Sequence, residues 1–197
     1  MRTALATLAL LVVACAAQPT EQAAATHSKQ TTAAAEPTTA KPASPTTGPR
    51  ADCGDALQLL LSVPHDPPTR AQVDSACAAP VAALVQVADD DSALALRRLR
   101  AVTLLGTYDS TEAQDALERA LHAELASVRR TAVAALAKHR ASARRDTLLR
   151  KALEDGDPHV RAETARALKG DSTPATRDAL AGARERETVP FVKALLE

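Results

Sequence analysis

A phrase that returns at a fixed interval of about 32 residues narrows the choice of fold more than any other feature of this chain. Leu96-Arg97-Arg98 is answered by Val128-Arg129-Arg130 and then, at the same interval, by Val160-Arg161-Ala162. The match continues through Ala101, Val133 and Ala165, then Leu104, Leu136 and Leu168, and closes at Gly106, Lys138 and Gly170. Within each copy these small and apolar positions form one stripe of an amphipathic helix. A second set keeps the same spacing upstream, as Val85, Leu117 and Leu149, then Ala88, Ala120 and Ala152, then Leu121 and Leu153. Each unit is therefore expected to be a pair of helices. Start signals agree: Asp109 with Glu112 reads as a capping pair, Ser142 as the next cap, and Asp157-Pro158 and Thr173-Pro174 as a cap followed by a first-turn proline. Gly106 and Gly170 read as residues just past a helix end, free to take positive φ. Pro190, Val192 and Lys193 keep the register and open a fourth, shorter unit. Such pairs cannot hide their apolar stripes alone, so they stack. The expected fold is all-α, a solenoid of stacked antiparallel helix pairs over residues 80–197.

Composition supports helices and excludes several functions. Tyr108 and Phe191 are the only aromatic residues besides histidine. That leaves no stacking platform for single-stranded nucleic acid and little material for an aromatic, β-branched sandwich. The chain has 24 Lys plus Arg against 24 Asp plus Glu, and residues 1–50 take four of the positive charges and two of the negative ones. The remainder is slightly acidic, without the basic field of a nucleic-acid binder.

The string Asp157-Pro-His-Val-Arg-Ala-Glu-Thr-Ala-Arg-Ala-Leu-Lys-Gly170 resembles the HEAT-repeat family, in particular its short bacterial form first noted in phycobilisome lyases. Val128-Arg-Arg-Thr-Ala-Val-Ala-Ala-Leu136 is a second copy in which Leu125 replaces the Asp; the first copy departs further, with Arg100 on the apolar stripe. The tetratricopeptide Trp and the ankyrin Thr-Pro-Leu-His are missing. The resemblance implies a protein-binding scaffold whose second helices line the concave side, with Arg98, Arg130, Glu163 and Arg166 as contact candidates. It also implies a structural role for the ladder Arg97, Arg129, Arg161 and Lys193, which in this family ties units together through an Asp or backbone carbonyls. The other reading of that ladder is a groove for acidic partners. Two rival functions come with the family: a bilin-lyase-like enzyme, for which the chain offers no ligand pocket or reactive groups, and nucleic-acid binding, for which it lacks a basic face.

The N-terminus carries a different message. Met1-Arg2 and a short apolar run to Val13 form a secretory signal, well short of the roughly 20 residues that span a bilayer. Val12-Val13-Ala14-Cys15 resembles the lipobox of bacterial lipoproteins. The resemblance implies cleavage of residues 1–14, attachment of palmitate-type acyl chains through Cys15, and a place in the cell envelope. Ala16 implies the outer membrane, facing the periplasm, if the cell is Gram-negative. Ordinary cleavage nearby, releasing a soluble protein, is the alternative.

Residues 16–50 hold ten Ala, eight Thr and five Pro but no Val, Ile, Leu, Met or aromatic residue. With Cys15 they read as a disordered tether over 15–50. Residues 51–79 read as an N-terminal helical cap, one helix over Asp55–Leu61 and another from about Thr69 to Ala79. In an exported protein Cys53 and Cys77 are expected to pair as a disulfide; a metal at these cysteines and His65 would lack a fourth ligand.

No catalytic set can be assembled. Arg140, Arg144, Arg145, Arg150 and Lys151 read as a solvated basic face, with Arg150 and Glu154 as an i,i+4 pair and a partner-docking patch as the second reading. Asp89-Asp90-Asp91 reads as an acidic inter-helix loop, and His122, His139 and His159 as surface or cap residues. The expectation is a non-enzymatic scaffold with an unidentified protein partner and a membrane anchor, and without cofactor, metal, small-molecule substrate or nucleic acid.

Overall fold

A computed structural model describes residues 53–197; the expected export signal, the lipidation expected at Cys15 and the expected tether over 15–50 lie outside the described residues. Within them the chain forms ten helices and no strand: α1 (Gly54–Ser62), α2 (Arg70–Ala76), α3 (Pro80–Asp89), α4 (Ala95–Leu105), α5 (Thr111–Ala120), α6 (Ala126–Lys138), α7 (Ala143–Ala152), α8 (Pro158–Leu168), α9 (Pro174–Arg186) and α10 (Pro190–Lys193). Most of the starts have a visible cause. Thr69 and Gln72 form a reciprocal capping box at α2. The side chains of Ser142, Asp157 and Thr173 accept amide protons in the first turns of α7, α8 and α9. At α5 the cap is Ser110, which accepts from the Ala113 amide at 3.2 Å. Asp109 therefore sits one residue too early to be the cap, and Glu112 acts instead as a first-turn anion facing the helix dipole.

Within the first three units successive helices pair, and most second helices pack on the one a unit away. α3 lies against α4, α5 against α6 and α7 against α8; α4 packs on α6, α6 on α8, and α8 on α10, while α3 meets α5 and α7 meets α9. Most of the stripe positions read from the repeat form the core. Ala101, Val133 and Ala165, and Leu104, Leu136 and Leu168, are all buried, and the same core takes in Leu117 and Leu149; the expected Val85 is only half-buried, and its neighbour Leu84 takes the core place in α3. Each buried leucine contributes about 1.5–3 kcal/mol relative to an exposed one.

The glycine reading needs correction. No described residue has positive φ, and Gly106 ends α4 at φ −62°, ψ −10°. Its requirement is space. A Cβ there would lie 2.8 Å from Ala135 Cβ and 2.9 Å from Ala135 Cα, so glycine lets α4 and α6 approach. At Gly170 nothing lies within 4 Å of such an atom.

The N-terminal pair is fastened in three ways. Cys53 and Cys77 form a disulfide with Cα atoms 4.9 Å apart, across a sequence separation of 24. α2 ends at Ala76, not Ala79, because Cys77 is extended and Pro80 already opens α3. Arg100, the odd member of the stripe, is buried and donates to the carbonyls of Leu61 (3.0 Å) and Val63. These are orphan acceptors at the end of α1, so the cation caps that helix where its dipole is negative. Tyr108 donates to Asp74 at 2.7 Å, and Arg70 lies over its ring at 4.4 Å while donating to the Thr107 carbonyl at 2.7 Å. The Tyr108 hydroxyl is pushed well above the usual phenol range, by burial first and by the Asp74 bond second.

Candidate protein-interaction surface

The arginine ladder runs along the second helix of each pair, and its middle rungs share one geometry. Arg129 on α6 reaches the Asp155 carboxylate in a bidentate contact (Nε–Oδ2 2.8 Å, Nη2–Oδ1 3.0 Å) and donates from Nη1 to the carbonyls of Ala123 and Glu124, both at 2.8 Å. Arg161 on α8 does the same one unit later. It meets Glu187 at 2.8 and 2.9 Å and the carbonyls of Asp155 (2.8 Å) and Gly156 (3.3 Å). The fork of a guanidinium suits such a carboxylate, and the spare nitrogen satisfies the turn that enters its own helix. Both rungs bind within the protein, as the structural reading expects. Glu187 is nearly enclosed and also accepts from the amides of Thr188 and Val189. Hydrogen bonding to Arg161 holds its carboxyl at about 2.

The outer rungs differ. The position corresponding to Asp155 one unit earlier is Ala123, so Arg97 has no matching carboxylate and donates to Ser62 Oγ at 2.8 Å instead. Lys193 is exposed on α10. Asp155 and Glu187 escape a reading of the sequence that follows the arginines alone. Each lies 26 residues after its arginine, so the two acids are themselves one repeat apart. The same period that marks the arginines is the signal that finds them.

The four contact candidates do not form one surface. Arg98 is only 5% exposed; it pairs with Asp91 at 2.8 Å and donates to the Ala88 carbonyl, fastening α4 to the end of α3. The expectation of an exposed side chain fails because Asp91 in the α3–α4 loop and the Ala88 carbonyl in the last turn of α3 enclose it. Arg130 is exposed on α6. Glu163 and Arg166 pair with each other at 3.3 Å on α8. His139 is the C-cap residue of α6, as the cap reading has it, but is buried and not on the surface, with Nε2 3.3 Å from the Leu105 carbonyl of α4. One further expectation fails. Arg150 bonds Thr147, and Glu154 reaches toward Arg186, so the i,i+4 pair is not formed.

Charged residues elsewhere are mostly engaged with neighbours. Arg144 spans Asp115 (2.6 Å) and Glu118 on α5, and Arg145 donates to the carbonyls of Leu136 and Ala137 at the end of α6. The three successive aspartates are divided: Asp89 pairs with Arg119, Asp91 with Arg98, and Asp90 accepts from Ser92. His159 stacks on Phe191 at 5.3 Å.

Among the described residues no three His, Cys, Asp or Glu side chains are placed to hold a metal ion, and no single helix is long and apolar enough to cross a membrane. Exposed large apolar side chains do stand out. They are Leu59, Val63, Leu94, Leu96, Leu125 and Phe191, and the first four belong to α1, its end, or the start of α4. In comparison with known proteins, the chain matches no family model and no curated protein.

Proposed function

We propose that this chain is a non-enzymatic docking scaffold of the cell envelope, an α-solenoid of HEAT-like helix pairs held to a membrane through acylated Cys15. The observation that supports it is the repeated arginine contact. Arg129 and Arg161 each bridge the turn before their own helix to a carboxylate 26 residues on, so each unit is pinned to the next at one point. A chain organised in this way keeps its polar chemistry for its own joints and offers surface rather than a reaction centre. Lipid attachment fixes location, and the stacked helices present the face that binds. The Cys53–Cys77 disulfide suits an exported protein.

The test is crosslinking followed by affinity purification from envelopes, comparing wild type with Cys15→Ser. The proposal expects wild type to fractionate with membranes, the variant to be released, and both to recover the same protein. A variant that stays with membranes contradicts the anchor, and the absence of any shared protein contradicts the scaffold.

A further inference from the structure

The two ends of the array are not equivalent, and the first end is unfinished. Position 96 carries the residue that in later units is Val128, Val160 and Val192, each fully buried where a second helix packs on the one before it. Leu96 is 47% exposed. Arg97 on Ser62 and Arg100 on the Leu61 and Val63 carbonyls set the start of α4 against the last turn of α1, which leaves Leu96 uncovered. Leu59, one turn before Ser62 on α1, is 72% exposed, and Leu94, at the start of α4, is 64% exposed. Leu59 borders a shallow apolar groove between α1 and α2, floored by the small residues Ala56, Ala71 and Ala76. An apolar patch shaped by two helices and missing a third fits an α-helix.

Composition and charge separate the occupants that such a patch could take. The chain's own tether has no large apolar side chain to offer. Residues 53–100 contain six aspartates and four arginines. All four arginines are turned to acceptors in the protein: Arg70 to Asp74 and Thr107, Arg97 to Ser62, Arg98 to Asp91, Arg100 to Leu61 and Val63. Asp55, Asp66 and Asp90 stay exposed with no ion-pair partner among the described residues. A second copy would bring an identical acidic rim against this one, and an anionic bilayer would be repelled as well.

We propose that the α1–α4 end docks an amphipathic helix of a partner protein, whose apolar face covers Leu59 and Leu96 and whose flanking lysines or arginines meet Asp55, Asp66 and Asp90. This rests on the scaffold reading above and names the surface and the partner's chemistry.

The experiment uses the full chain carrying Cys15→Ser and a fluorescein-labelled synthetic helix of five turns, built from Leu, Ala and Lys with the leucines on one face. Fluorescence anisotropy should show saturable micromolar binding. Leu59→Asp with Leu96→Asp should weaken it at least tenfold, even though the change adds negative charge beside a cationic peptide. Leu125→Asp, at the start of α6, should leave it unchanged, and far-UV circular dichroism should show all variants folded. A peptide with Glu in place of Lys should bind at least tenfold more weakly. Absence of saturable binding, indifference to the double substitution, or equal affinity for the Glu peptide overturns the proposal. So does a concentration-dependent dimer, or binding to phosphatidylcholine vesicles, that the double substitution removes. Because the peptide assay reads one end only, its failure leaves partner capture from envelopes as a separate result.

Discussion

Gly106 and Gly170 close equivalent helices two repeats apart, yet they answer to different physics. A methyl group on Gly106 runs into Ala135 on the neighbouring helix, whereas one on Gly170 meets nothing. Gly106→Ala should cost about 1–3 kcal/mol by overpacking, and Gly170→Ala should be neutral or stabilise by up to about 1 kcal/mol through the unfolded chain. Urea unfolding monitored by circular dichroism distinguishes them, and equal effects would contradict the close-approach argument. Glu187 makes the corresponding electrostatic case. Its folded pKa of about 2 lies below the unfolded value of about 4.3. Its stabilising contribution is therefore complete above about pH 4.3 and is lost as pH falls toward 2. Glu187→Gln should lower stability at pH 7 by about 3 kcal/mol and flatten the loss of stability between pH 4.3 and 2. An unchanged slope in that window would mean that Arg161 does not hold this carboxylate.

At the scale of helices, the period carries most of the information. The stripe positions Ala101, Val133, Ala165, Leu104, Leu136 and Leu168 are buried while Leu96 is not, the cysteines pair, and Ser142, Asp157 and Thr173 cap as expected. What the sequence conceals are contacts set by tertiary approach. A charge on a helix face reads as solvent-exposed, which makes Arg98 look like a binding residue; only the fold brings up the Asp91 carboxylate of the α3–α4 loop and the Ala88 carbonyl of α3 that enclose it. Arg100 looks like a flaw in the stripe for the same reason, because its acceptors are carbonyls, which every residue has and no pattern displays. The proposed interaction surface is not legible as a set of side chains, since Arg98 is enclosed and Glu163 pairs with Arg166. The α1–α2 pair buries only Leu57, Leu61 and Val73 within its helices, so the disulfide should matter most there. Its sequence separation of 24 corresponds to about 3 kcal/mol in the chain-entropy account. Cys53→Ser with Cys77→Ser should lower the melting temperature, and amide exchange in α1 and α2 should rise before that in α6 and α8; uniform exchange would contradict a locally fastened cap.

For the molecule as a whole, the claim that matters is that the units stabilise one another through α4–α6–α8 packing and the arginine contacts between them. Removing residues 171–197 takes away Glu187 and the α10 face that covers α8, but leaves every residue of the earlier units in place. The most direct measurement is the urea midpoint of that truncated chain against the full one, followed through the remaining helices by amide exchange. Coupled units predict a lower midpoint and lost protection in α8, fading toward α4. An unchanged midpoint, with α8 as protected as before, would mean that the units stand alone and would contradict the account.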